Sequence, residues 1–120
     1  MKKSVVKSIG KNAIHPKDPL IILFDESATD ALKNVSVIQK FDELNDHLLK
    51  AGDTLSFDEQ EYKITQVGPL ANENLQAMGH VTVVFKEVAA EDEMANALYV
   101  EPFILPEIIE GTVITYAIIK

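Results

Sequence analysis

YKITQVGPLANENLQAMGHVTVVF, residues 62–85, reads as strand, turn, short helix, glycine–histidine corner and strand. Side chains alternate along the extended run 62–67, which places Tyr62, Ile64 and Gln66 on one face and Lys63, Thr65 and Val67 on the other. Gly68-Pro69 ends that run, and the pattern predicts a helix of about two turns over 70–78. Pro69 suits a first helical position, where its missing N–H would have no intrahelical partner anyway. Leu75 and Met78, at i, i+3 spacing, are expected to share a face, and Gly79 suits the left-handed conformation that closes a helix. His80 then falls at a corner, where the chain leaves the helix for an apolar strand, a place that holds one imidazole in one orientation.

Working outward, β-branched and aromatic residues concentrate at 4–9, 20–24, 35–41, 54–57, 62–67, 81–86, 98–100 and 112–119, and each of these segments is expected to be a strand. Turn chemistry separates them: Gly10-Lys11-Asn12, His15-Pro16, Gly52-Asp53 and a hairpin turn over 58–61. The expected class is mainly β, a closed barrel of about seven or eight strands with one to three short helices, formed by a single domain spanning 1–120. Besides the helix before Gly79, Ser27-Ala28-Thr29-Asp30 resembles a capped first turn or a loop. Leu44, Leu48 and Leu49 make a helical stripe expected to seal one barrel end, with His47 pointing outward.

Composition narrows the function classes. With 19 acidic against 11 basic residues the net charge is −8, a field that opposes a phosphate backbone, so nucleic acid is not expected as a partner. The local acids Glu87, Glu91, Asp92 and Glu93 read as a solvated loop. The chain has no cysteine, which removes disulfides, thiol nucleophiles and cysteine-based metal sites. No window approaches the roughly 18 apolar residues of a membrane span, and Lys2, Lys3 and Lys7 precede no signal-like apolar stretch, so a cytoplasmic protein without membrane insertion is expected.

The five glycines are scattered among turns and form no phosphate-cradling loop. The three histidines fall in separate elements without metal-ligand spacing, and no serine sits in a nucleophile elbow, so neither a metal, a cofactor nor a hydrolytic triad is expected. His80 remains as the local candidate for nucleophilic or acid–base work. The competing reading is a partly buried ring hydrogen-bonded to nearby backbone. His15, in a polar loop, and His47 read as surface residues.

The run 64–85, ITQVGPLANENLQAMGHVTVVF, resembles the signature region of the glucitol/sorbitol-specific IIA component of the bacterial phosphoenolpyruvate-dependent sugar phosphotransferase system (PTS). Thr65, Val67, Gly68, Asn74, Leu75, Gly79, His80 and Thr82 match its Thr-x-Val-Gly turn, Asn-Leu helix and Gly-His-x-Thr strand start in order. Ile9-Gly10, the strand LIILF at 20–24, Glu43-Leu44, Gly52, Tyr62 and Pro106 through Gly111 extend the likeness along the chain. The resemblance implies a closed β-barrel and a phosphocarrier that takes a phosphoryl group from the histidine-containing carrier protein and passes it to the IIB domain of a IIB/IIC sugar transporter. An imidazole suits that role, because one nitrogen is nucleophilic at neutral pH while a hydrogen bond to the other fixes the tautomer.

The family's acceptor histidine lies on the strand just before the Glu-Leu pair, and aligning on Glu43-Leu44 puts Gln39 in that position, with Phe41 where a second histidine can occur. Gln39 shares a period-2 face with Val37 and Phe41 and cannot form a phosphohistidine. Two expectations are open. In one, His80 serves as the alternative acceptor or stands just behind the site, with Phe41, Gly79 and Thr82 as neighbours. In the other, the chain is a diverged IIA-like regulatory or binding module without a phosphoacceptor.

Overall fold

The computed structural model describes residues 2–41 and 48–118. Among the described residues there are eight strands: β1 (Lys2–Ile9), β2 (Leu20–Phe24), β3 (Val37–Phe41), β4 (Thr54–Phe57), β5 (Gln60–Val67), β6 (Val81–Val84), β7 (Ala97–Glu101) and β8 (Val113–Ala117). Two short α-helices, α1 (Asp30–Asn34) and α2 (Ala71–Met78), and a 3-10 turn at Ala90–Asp92 are the other elements among the described residues. The strands close a barrel in the order β1-β3-β2-β6-β7-β5-β4-β8, with β8 returning to β1.

Six neighbouring pairs are antiparallel, and β2/β3 and β6/β7 are parallel. Parallel neighbours need a long crossover, supplied by residues 25–36, which contain α1, and by 85–96, which contain the 3-10 turn. The β4–β5 connection is tight: Phe57 pairs with Gln60, and Asp58 takes φ +53°.

The interior is filled by alternate side chains, including Val6, Ile21, Leu23, Val37, Leu55, Ile64, Val81, Val83, Val100 and Ile114. In this interior Tyr62 meets Phe57 and Phe85 edge-to-face, its ring centroid 5.1 Å from that of Phe85, and the Tyr62 hydroxyl donates to the Ile104 carbonyl at 2.7 Å. The outward faces carry smaller clusters, Phe24 with Ala28 and Ile38, and Val84 with Ala97 and Tyr99.

The structure departs from the sequence reading at specific points. A bulge in the pairing of β5 with β7 lies between Ile64 and Gln66, and an extra residue there exchanges the faces of the residues after it. Val67, not Gln66, therefore packs against the core, while Gln66 bonds to Glu93. Glu93 is thus half-buried and partnered, whereas Glu87, Glu91 and Asp92 are exposed as expected of a solvated loop. Helix α2 starts at Ala71 with Leu70 as its cap, so Pro69 precedes the helix, and Leu75 is buried with Ala71 while Met78 is exposed. At α1 the cap is Thr29, whose hydroxyl accepts from the Leu32 N–H at 3.3 Å; Ser27 bonds to Asp25 instead. Strand β3 begins two residues later than the expected 35–41, because Val35 and Ser36 close the α1 turn. Leu44 and His47 lie outside the described residues; Leu49 is buried in the core and Leu48 is exposed.

Gly68 is fixed by close approach: a Cβ there would stand 2.4 Å from the carbonyl oxygens of both Ala95 and Met94. Both obstacles are backbone and cannot rotate aside. Gly68→Ala is expected to cost about 1–3 kcal/mol, as overpacking does, and to lower the urea midpoint without changing the denaturant slope; an unchanged midpoint would refute the contact.

Candidate functional site

Strand closure assembles the site. Pairing of Val6 with Gln39 and of Lys2 with Tyr116 brings β1, β3 and β8 side by side. On β1 the inward phase is Lys2, Ser4 and Val6, and on β3 it is Val37, Gln39 and Phe41. These strands thus deliver polar side chains into an apolar interior at one level of the barrel. Gln39 is completely buried, as is Ser4, and Tyr116 is 2% exposed.

Burial of an amide and two hydroxyls is tolerable only if they are bonded. The Ser4 hydroxyl donates to Gln39 Oε1 at 2.6 Å and the Tyr116 hydroxyl donates to the same oxygen at 2.6 Å. Gln39 Nε2 donates to the Gly79 carbonyl at 2.9 Å. The orientation of the amide is dictated by chemistry, because a carbonyl only accepts and so must face the nitrogen. Both hydroxyls must then donate to the oxygen. Burial pushes the Tyr116 phenol well above its ordinary range, outweighing the bonds with Gln39 and Ser4, which pull it down.

The fourth member of the network comes from the corner after α2. Gly79 adopts φ +57° and ψ +27°, its N–H bonding the Leu75 carbonyl at 3.0 Å. The neighbouring loop contact is tight: Asp25 N–H donates to Met78 O at 3.0 Å, and a Cβ on residue 79 would stand 2.8 Å from the Asp25 Cβ. Glycine is required there both by the backbone angle and by space. Above the network lies a cleft of about 310 Å³, lined by Gln39, Phe41 and Gly79, by Lys2 and Lys40, by Asp25 and Glu26, and by the exposed side of α2. The Lys2 ammonium stands 4.5 Å from the centre of the Phe41 ring, a cation–π contact, and Phe41 lies 5.6 Å from the Tyr116 ring.

His80 is held elsewhere. Its Nδ1 lies 3.0 Å from the Leu23 carbonyl, and its ring stacks on Phe24 with centroids 4.3 Å apart. Phe24 belongs with Ile38 to a cluster separate from the interior. Ile38 alternates with the inward Val37 and Gln39, so this cluster lies on the outer face of the sheet. The His80 ring is therefore on the opposite side from the Gln39 amide and does not line the cleft. Thr82, buried to 7% exposure, alternates with the inward Val81 and Val83 and likewise lies away from the cleft. Of the expected site residues the structure thus brings Gln39, Phe41 and Gly79 together, and sets His80 and Thr82 apart. His15 is exposed, its Nδ1 accepting from the Lys17 N–H at 3.2 Å.

Ser4, Tyr116 and Lys2 were not singled out by sequence. The available signal was phase: Ser4 shares an inward face with Val6, where an apolar residue is the usual occupant. Among the described residues no group of three or more His, Asp or Glu could hold a metal ion, and no helix is long and apolar enough to cross a membrane.

The chain that forms this closed β-barrel matches known proteins over nearly its full length. The chain matches the family described as PTS system glucitol/sorbitol-specific IIA component over residues 1–115, and it belongs to that family. It is 29% identical over 119 residues to the PTS system glucitol/sorbitol-specific EIIA component of Escherichia coli (strain K12), an alignment covering 98% of this chain and 95% of that protein. The Shigella flexneri counterpart matches to the same extent, at 29% identity over 119 residues. The crystal structure of a PTS system IIA component from Enterococcus faecalis V583 superposes with a TM-score of 0.93 at 42% identity, covering 97% of this chain and 99% of that one. Membership in this family implies interaction with other components of the phosphotransferase system.

The buried phenol makes a prediction about alkali. The unfolded chain ionises its tyrosines near pH 10, whereas folded Tyr116 does not. The stability its protonated form contributes is present below about pH 10 and falls as pH rises above it. Tyr116→Phe is expected to lose about 1 kcal/mol at neutral pH, one hydrogen bond's worth, and to show a shallower alkaline decline in urea unfolding. The phenolate absorbance of the folded variant up to about pH 11 should equal that of the wild type; a smaller rise would mean that Tyr116 already titrates there.

Proposed function

We propose that this chain serves a glucitol/sorbitol-type phosphotransferase system as a IIA-type subunit that engages the system's proteins through the cleft without carrying a phosphoryl group at its centre. The observation that carries this reading is Gln39. It stands at the buried centre of the site, in the position that the family resemblance sets against the acceptor histidine, and its oxygen is already occupied by two hydroxyl donors. An amide has no nucleophilic nitrogen lone pair to form a phosphoramidate. The occupants expected at the cleft are the histidine-containing carrier protein and the IIB domain of a IIB/IIC transporter, and the chain acts in the cytoplasm, where those proteins meet. A domain without phosphate would then bind or regulate, competing with phosphorylated subunits for the same partners.

A second reading is favoured by the tautomer of His80. A carbonyl only accepts, so the Leu23 contact places the proton on Nδ1, leaving Nε2 with its lone pair and no hydrogen-bond partner among the described residues. Such a ring is suited to accept a phosphoryl group from the carrier protein and relay it to the IIB cysteine. Its place on the outer face of the sheet weighs against the family's cleft as the docking point.

One experiment separates the two. Incubating the purified chain with phosphoenolpyruvate, enzyme I and the carrier protein is expected to give saturable carrier binding by titration calorimetry and no acid-labile label on the chain. Label that disappears in His80→Gln would overturn the first reading and establish the second.

A further inference from the structure

Register sets the two ends of the barrel apart. Leu23 pairs with Val81 near the Gly79 corner, whereas Leu20 pairs with Val84 at the far end of the same two strands. Tyr99 also pairs with Val84, and the Phe85 N–H donates to the Pro19 carbonyl at 2.7 Å, so β7 finishes at that far end, away from the cleft. Residues 102–112 cross this end on the way to β8. Leu105 and Ile108 turn toward the core, while Phe103, Ile104 and Ile109 are exposed, Phe103 to 56%. Hydrogen bonds hold this display in place. The Tyr62 hydroxyl donates to the Ile104 carbonyl, the Ile104 N–H donates to the Pro102 carbonyl at 2.9 Å, and the Ile109 N–H donates to the Thr112 hydroxyl at 3.0 Å. Fixed in this way, the segment costs little further ordering when a partner covers it.

Phe103 is a shared wall of two hollows of opposite character. One, of about 440 Å³, is walled chiefly by apolar residues, among them Pro19, Phe85 and Leu105, with Lys17 as its charged lining residue. The other, of about 220 Å³, is lined by Gln66 and by the carboxylates of Glu87 and Glu101. Both carboxylates belong to exposed residues, and neither has an ion-pair partner among the described residues. We infer that this end of the barrel is a second docking surface, whose occupant is a segment of another protein that presents a guanidinium or ammonium group beside a large apolar side chain. The apolar side chain fills the larger hollow. The cation lies between the two carboxylates and the Phe103 ring, where opposite charge and the aromatic face both attract it. Charge selects this occupant over two others. A second copy of the chain would set the same carboxylates against these, and the net charge of −8 opposes approach to an anionic bilayer. A partner seated here leaves the cleft at the other end open, so the inference does not rest on the reading of Gln39.

The test is an NMR titration of the isotopically labelled full chain with the peptide acetyl-Gly-Leu-Arg-Gly-amide, and with its counterpart carrying Glu in place of Arg. Saturable shifts are expected at residues 87–88 and 101–105 with the Arg peptide, with a Kd of about 1 mM, as suits so small a contact. The Glu peptide should leave these signals unmoved. Phe103→Ser is expected to weaken binding by about tenfold or more, as loss of an aromatic anchor does. Glu101→Gln should weaken it about two- to fivefold, the effect of one exposed charge pair. Both side chains are exposed, so the melting temperature should stay at the wild-type value in each variant. Absence of shifts at these residues, equal shifts with both peptides, or a response centred on the cleft would overturn the inference. Dimerisation of the chain, or retention on anionic vesicles, that is lost in Phe103→Ser would also overturn it, by giving the surface to a second copy or to a bilayer.

Discussion

Closure of the barrel by the β1–β8 pair is the constraint on which the site depends. Ser4 and Tyr116 lie at opposite ends of the sequence, and only this pairing, in the register that sets Lys2 against Tyr116 and Ser4 against Ile114, places both hydroxyls beside Gln39. A register slip by one residue would turn Ser4 out of the interior and Lys3 into it. It would also take one of the two donors from the buried Gln39 oxygen, a loss of about 1 kcal/mol for one hydrogen bond. The polar network therefore selects the register while the register builds the network, and the two are specified together.

The same sheet separates two kinds of chemistry. On its inner side, the residue at position 39 is buried, hydrogen-bonded through both its oxygen and its nitrogen, and an amide that does not change protonation state. On its outer side, His80 is oriented by a backbone carbonyl and a stacked phenylalanine. Both residues are anchored through the Gly79 corner, one by its carbonyl and the other by its chain direction. The left-handed glycine is thus the hinge point around which the two faces are arranged, and its contact with Asp25 ties that corner to the loop after β2.

Much of the fold was legible in the sequence because strand signals are local. β-Branched runs separated by glycine, proline and aspartate marked the eight strands, and Gly79 announced the end of α2 by its conformational needs alone. Register irregularities were not legible: the bulge after Ile64 depends on what β7 offers across the pair, and it moved Gln66 and Val67 to faces opposite to those that alternation assigns. Capping was read two residues early at Ser27, because Asp25 captured that hydroxyl first. At the site, Gln39 and Phe41 could be placed from phase and family likeness, whereas Ser4 and Tyr116 could not. Their importance lies in converging on a shared partner from strands distant in sequence, and no local pattern encodes that convergence.

The closing pair also has a consequence for synthesis on the ribosome. β1 emerges first, yet its two neighbours are β3 and β8, and β4 likewise waits for β8. Until residues 113–117 have left the exit tunnel, β1 and β4 each present an open edge, and the polar interior around Ser4 and Gln39 lacks its tyrosine. Non-local strand pairing of this kind forms slowly, because loop-closure entropy is lost before the contacts form. Over that interval the nascent chain exposes two open strand edges, so it is during translation that this barrel depends most on being kept from other chains.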